Sequence, residues 1–187
     1  MPKISGSATI GLGRIKDYAL SDADLRKILG DDIKILTYPE LENLHSADDL
    51  FDSKGRCIIL FLIQGPTSGH WCCLMNKKNG IYFFDPYGEA PDEQQECLPQ
   101  SKLAQLDMDK PFLTKLLRES GRPVYYNTYP YQKDKSGINT CGRWCAVRLL
   151  YADKSDEYFN KVVKKANDAG LSNDDFVGAL CANVLGR

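Results

Sequence analysis

The spacing of apolar positions changes period several times along the chain, and each change predicts an element. Arg56 to Gln64 (RCIILFLIQ) is a continuous apolar run bounded by turn residues, the pattern of a strand buried on both faces. The Gly65-Pro66-Thr67-Ser68-Gly69 segment breaks it. His70 to Asn76 and Ile81 to Asp85 read as two further strands, joined by Lys77-Lys78-Asn79-Gly80 as a hairpin. Helical spacing then takes over. Phe112, Leu113, Leu116 and Leu117 recur on one face after Pro111, and Gly121 closes that helix. Cys141 to Tyr151 is strongly helical, and two more helices are predicted near 156–168 and 172–185. Towards the start, Ser21 with Asp24 three residues later predicts a capped helix through Leu25 and Leu29 to Gly30. Ile33 to Thr37 reads as a short strand, Pro39 to Leu44 as a helical turn, and Pro123 to Asn127 as a strand. Residues 1–20, 89–101 and 128–140 read as loop. No linker separates two cores, so the expectation is one α+β domain over 1–187, with a central, mostly antiparallel sheet and helices on its sides.

Composition narrows the class. The 187 residues are 43% hydrophobic and 26% charged, which is ordinary globular usage. No run reaches the length of a membrane span, and the first residues lack the apolar core of a signal peptide. A non-exported protein without a membrane segment is the expectation. Lys+Arg is 24 against Asp+Glu 25, a net charge of −1, and this balance does not point to a nucleic-acid partner. The cysteines number seven, an odd count, so free thiols in a reducing compartment are the default. Cys72-Cys73 are adjacent, Cys141 and Cys145 are four apart, and His45 and His70 are the only histidines. That spacing does not fit a structural zinc knuckle, and no metal is expected.

The chemistry concentrates in four residues. With Lys77–Gly80 as the hairpin loop, Asn76 pairs with Ile81, Cys72 opposes Asp85, and His70 lies diagonally from Asp85. A two-residue Asn79-Gly80 turn would instead set Leu74 opposite Asp85. Either way side chains alternate with period two, so His70, Cys72 and Asp85 share one face. Cys141 opens a predicted helix, where exposed N–H groups and the helix dipole favour a thiolate. Gly142 beside it leaves room for a substrate carbonyl. Gln132, in the preceding loop, carries an amide that can donate to an oxyanion together with the Cys141 N–H. A histidine that takes the thiol proton and a carboxylate that orients it complete nucleophile, base and orienter. Each residue alone reads as structural; the combination and its order carry the case.

Gly69-His70-Trp71, Tyr82-Phe83-Phe84-Asp85-Pro86-Tyr87-Gly88, Gln132 and Asn139-Thr140-Cys141-Gly142 together resemble the adenovirus-protease and SUMO-protease (Ulp1-like) clan of cysteine peptidases. The likeness spans roughly residues 56–150 and is greatest to short viral and virophage maturation proteases. The resemblance implies a papain-like core with His70 as general base, Asp85 as orienter, Gln132 as oxyanion donor and Cys141 as nucleophile. It places Gly69, Trp71 and Gly142 along a narrow cleft that accepts a glycine-rich substrate backbone. It implies a thiol endopeptidase without metal or organic cofactor, cutting viral structural precursors next to glycine. The expected partner is therefore a polypeptide, the expected state a monomer, and the expected location the virion or the host cytoplasm or nucleus. Two rivals share the same triad: a deconjugase of ubiquitin-like or SUMO-like proteins, and an acetyltransferase. A binding module that kept the fold without the chemistry is a third. Net charge −1 argues against activation by DNA, and Cys97 is the one cysteine between Asp85 and Cys141 to which an activating peptide could be linked.

Overall fold

The computed structural model describes residues 15–185. The described chain divides into two compact units. One comprises Asp32–Pro130; the other draws on the residues up to Asp31 and from Tyr131 onwards. Neither boundary lies in a Gly- or Ser-rich stretch, which is why the sequence offered no linker.

The Asp32–Pro130 unit is built on a five-stranded sheet in the order β1-β2-β3-β4-β5. The strands are β1 (Lys34–Thr37), β2 (Arg56–Gly65), β3 (Ser68–Lys77), β4 (Gly80–Phe84) and β5 (Val124–Tyr126). The sheet is mixed, which corrects the expectation of a mostly antiparallel one. β2, β3 and β4 form an antiparallel meander, but β1 pairs parallel to β2 and β5 parallel to β4. The reason is connection length. Tight turns can join only antiparallel neighbours, whereas parallel neighbours need a long crossover. Here 3-10 helices at Tyr38–Asn43 and Ala47–Leu50 lie between β1 and β2. A 3-10 helix at Glu93–Cys97 and two α-helices, α2 (Gln100–Gln105) and α3 (Phe112–Glu119), lie between β4 and β5. The apolar run of β2 is buried from Arg56 to Leu62, as its composition predicted.

Register follows the first of the two hairpin alternatives. Asn76 pairs with Ile81 and Lys77 with Gly80, leaving a two-residue Lys78-Asn79 turn. Cys73 pairs with Phe84, so Cys72 stands opposite Asp85 at the end of the ladder. The β2–β3 connection is tighter than expected: β2 runs to Gly65 and β3 starts at Ser68, with a register shift between Leu62 and Gly65. Gly69 sits at that irregularity, and a Cβ there would lie 1.8 Å from the Phe61 carbonyl oxygen. Its absent side chain is thus what lets β2 and β3 pair beside His70.

The second unit contains helices α1 (Asp22–Leu29), α4 (Cys141–Leu150), α5 (Asp156–Asp168) and α6 (Asn173–Leu185). Ser21 caps α1 through a reciprocal box with Asp24, as its spacing predicted. α4 is buried on every side from Cys141 to Leu149 and packs against α1 and α6. The expected loop over residues 1–20 falls mostly outside the described residues.

Candidate active site

Asp85 is the centre of the site in the sheet unit. It follows β4, is completely buried, and faces donors from four residues. His70 Nε2 lies 3.1 Å from its Oδ2, the Cys72 thiol donates to the same oxygen at 3.0 Å, and the Gln94 amide donates to it at 2.7 Å. The Tyr87 backbone N–H donates to Oδ1. Burial alone would raise the carboxyl's pKa. The hydrogen bond and charge of His70, the Cys72 thiol and the Tyr87 N–H outweigh it and hold the group below the ordinary carboxylate value. Asp85 is therefore an anion at neutral pH, and the nitrogen facing it carries a proton.

Local sequence explains this placement. Asp85-Pro86-Tyr87-Gly88 closes a turn in which the Gly88 N–H donates to the Asp85 carbonyl at 3.0 Å. Gly88 has φ +84°, and a Cβ there would press on Thr128 at 3.0 Å. The turn swings the Tyr87 ring over the imidazole of His70, stacked at 4.8 Å between centroids. Asn127, just past β5, exchanges two hydrogen bonds with the Asp85 backbone, at 3.0 and 2.7 Å. Gln94 arrives on the 3-10 helix at Glu93–Cys97. Asp92 anchors that segment by accepting from Tyr38 Oη at 2.7 Å and from the Thr114 N–H in the first turn of α3, also at 2.7 Å. Tyr38 also lies 2.9 Å from the Lys110 carbonyl, and burial followed by the Asp92 charge pushes its hydroxyl well above the ordinary tyrosine range.

Glu89 adds a further carboxyl close by. Its pKa is raised by burial and then by the charge of Asp85.

The other unit holds Gln132, Cys141 and Gly142. Cys141 is the first residue of α4, the position its sequence predicted, and its side chain is buried. Gln132 is buried in the loop before it and donates through Nε2 to the Ile138 carbonyl at 3.1 Å. This bond ties the amide to the turn that leads into Cys141. The loop has a second anchor, Asp174 in the first turn of α6. Its buried carboxylate accepts from Thr140 Oγ1 at 2.5 Å, from Trp144 Nε1 at 3.4 Å and from the Lys133 N–H at 3.3 Å. Asn139 completes the clamp by donating to the Asp17 carbonyl at 2.8 Å.

The structure thus brings His70 and Asp85 together, as the first of the two hairpin registers placed them, and sets Gln132 and Cys141 on one continuous loop and helix start. Trp71 is buried, and strand alternation turns it to the opposite face of the sheet from His70. Gly69 has the backbone role given above. Sequence reasoning missed Gln94, Asn127 and Asp174 as supports. Gln94 lies in a polar stretch read as loop and Asn127 at the end of a predicted strand, and nothing local marks either one as a partner of Asp85. Asp174 carried a faint signal, since acidic residues concentrate in first helical turns.

The fold is α+β with a mixed five-stranded sheet, and a buried His–Asp–Cys cluster stands at one end of its central hairpin. The particular kinship comes from sequence. The chain is 36% identical over 146 residues to "Uncharacterized protein V9" of the Sputnik virophage, spanning 78% of this chain and 83% of that protein. It belongs to the same family as that virophage protein. No protein-family model matches the chain. Among the described residues no helix is long and apolar enough to cross a membrane.

Proposed function

We propose that the protein is a cysteine endopeptidase of the adenovirus-protease type with a papain-like core, in which His70 is the base, Asp85 its orienter, Cys141 the nucleophile and Gln132 an oxyanion donor. The observation that carries this reading is the buried His70–Asp85 pair at 3.1 Å with the carboxyl held ionised. A carboxylate fixes the imidazole's orientation and stabilises its charged form. Because Asp85 takes Nε2, Nδ1 is the nitrogen assigned to the Cys141 thiol proton. The thiolate attacks the peptide carbonyl. The oxyanion takes hydrogen bonds from the Gln132 amide and the Cys141 N–H, and the imidazolium returns its proton to the leaving amine. Water activated by the same imidazole then hydrolyses the thioester.

The substrate class follows from the resemblance and from the viral kinship: structural precursors cut next to glycine, in a virion or an infected cell. The test is incubation of the purified chain with precursor proteins of its own virus, with ubiquitin-like thioester probes and with labelled acetyl-coenzyme A. Cleavage of a precursor at glycine, lost in Cys141→Ala, supports the reading. Turnover of the probes or of the coenzyme alone would move the protein to one of its rivals.

A further inference from the structure

We propose that His70, Cys72 and Asp85 form a binding site for a borderline-soft divalent cation, best matched by zinc, and that occupancy removes the base. The metal site stands on the sheet unit alone; only its inhibitory consequence rests on the peptidase reading.

Three observations carry it. First, the donor set is right. An imidazole, a thiol and a carboxylate are all buried on one face of the hairpin, with ligand atoms within 4.8 Å of one another. Second, the size is right. Zinc bonds of about 2.0–2.3 Å in a tetrahedron set ligand atoms about 3.3–3.7 Å apart. Asp85 Oδ2 already lies 3.1 Å from His70 Nε2 and 3.0 Å from Cys72 Sγ, so those edges open slightly and the third closes. The charges also cancel: thiolate and carboxylate neutralise a dication, which a buried site tolerates where it would reject a net charge. Magnesium and calcium, which want six or more oxygens, do not fit.

The third observation is an acceptor without a donor. Gln94 Nε2 donates to Asp85, yet Gln94 Oε1, one amide width away, is buried with no hydrogen-bond partner among the described residues. Such an acceptor in a native interior asks for a donor. Water on the fourth position of a three-coordinate zinc is one, and Gln94 would then support both a ligand and that water.

Binding balances simply. The Cys72 S–H bond breaks, its proton leaves to solvent and a zinc–sulfur bond forms. In the complex the imidazole is neutral with its one hydrogen on Nδ1, any second proton leaving to solvent with that of Cys72, and Asp85 stays anionic. An imidazole with zinc on Nε2 and hydrogen on Nδ1 has no lone pair for a thiol proton.

The experiment titrates the full chain with cobalt(II), then zinc(II), and follows the thiolate-to-cobalt charge-transfer band. Wild type and Cys141→Ala are expected to give the same band with tetrahedral visible absorption, bleached by zinc. Cys72→Ala is expected to lose the band. Cys72→Ser keeps a hydroxyl donor for Asp85, and so the local packing, yet should bind at least about 100-fold more weakly. A band of wild-type strength in both Cys72 variants, or its loss in Cys141→Ala, would overturn the site. In a peptidase assay, zinc inhibition of wild type that needs at least about tenfold more metal in Cys72→Ser supports the consequence. Equal inhibition of both refutes it. A chain without peptidase activity that still shows the Cys72-dependent band would sink the functional reading and leave the metal site standing.

Discussion

Replacing Asp85 by asparagine and by alanine should separate chemistry from stability. Asp85 Oδ2 receives three side-chain donors, and Oδ1 receives the Tyr87 N–H. In Asp85→Asn the oxygen can keep Tyr87, and the new NH2 then faces those three donors. Two of them can adapt. His70 can move its hydrogen to Nδ1 and accept at Nε2, and Gln94 can turn its unpartnered Oε1 towards the new donor, giving up its bond to the Ala90 carbonyl at 3.2 Å. The weak Cys72 donor loses this acceptor. The expected loss is about 1–3 kcal/mol. Asp85→Ala takes this acceptor away from all four donors and opens a buried gap, for about 3–5 kcal/mol. Activity should fall the other way. The tautomer that rescues stability in Asp85→Asn blocks the base, so turnover should drop by about 10³–10⁴, a loss of the order seen when an orienting carboxylate is neutralised. The pH dependence has a definite sign. A carboxyl whose folded pKa is lowered contributes stability that is present above about pH 4 and fades as pH falls through the folded value. Urea unfolding of wild type and Asp85→Asn, with a chelator present, should therefore show a gap at pH 7 that closes below about pH 4. Equal destabilisation by asparagine and alanine, a gap independent of pH, or an active Asp85→Asn would refute the reasoning.

Three other outcomes follow. Cys141→Ala should abolish cleavage with little loss of stability, whereas Cys145→Ala, one turn further into a fully buried helix face, should cost about 1–2 kcal/mol by thermal melting and leave chemistry nearly intact. Asp174→Ala removes the acceptor shared by Thr140, Trp144 and Lys133; it should cost about 3–5 kcal/mol in urea and speed proteolysis within 131–140. In a peptide series varied only at the residue before the cut, glycine should exceed alanine, valine and arginine, because steric exclusion acts on the transition state; equal rates would end the narrow-cleft reading.

Much of this was legible along the chain. The buried run of β2, the hairpin turn and the capping box at Ser21 are local signals, and the period of two was enough to put His70, Cys72 and Asp85 on one face. Parity needs no register, which is why that inference survived two alternative turns. The parallel edges were less visible. β1 and β5 are short, and strand direction is written in the crossovers rather than in the strands; the 38–55 and 85–123 connections were the available clue. The supports of the site were the least legible part. Gln94 sits in a polar stretch that reads as loop, and it reaches Asp85 only because Asp92 is fastened to Tyr38 and Thr114. Contacts of that kind join residues 22 and 54 positions apart, which no periodicity encodes.

The central claim is that His70, oriented by Asp85, takes the proton of the Cys141 thiol. The most direct measurement is the rate of iodoacetamide alkylation at each cysteine against pH, read by peptide mapping, in wild type and His70→Ala. Cys181, whose thiol burial pushes up to about 11, serves as the slow internal reference. The account predicts that Cys141 is the fastest thiol in wild type, with a reactivity titration well below the ordinary value of about 8.5. In His70→Ala that titration should move up to or beyond the ordinary value. An unchanged Cys141 titration in His70→Ala, or a different cysteine labelled first, would contradict it.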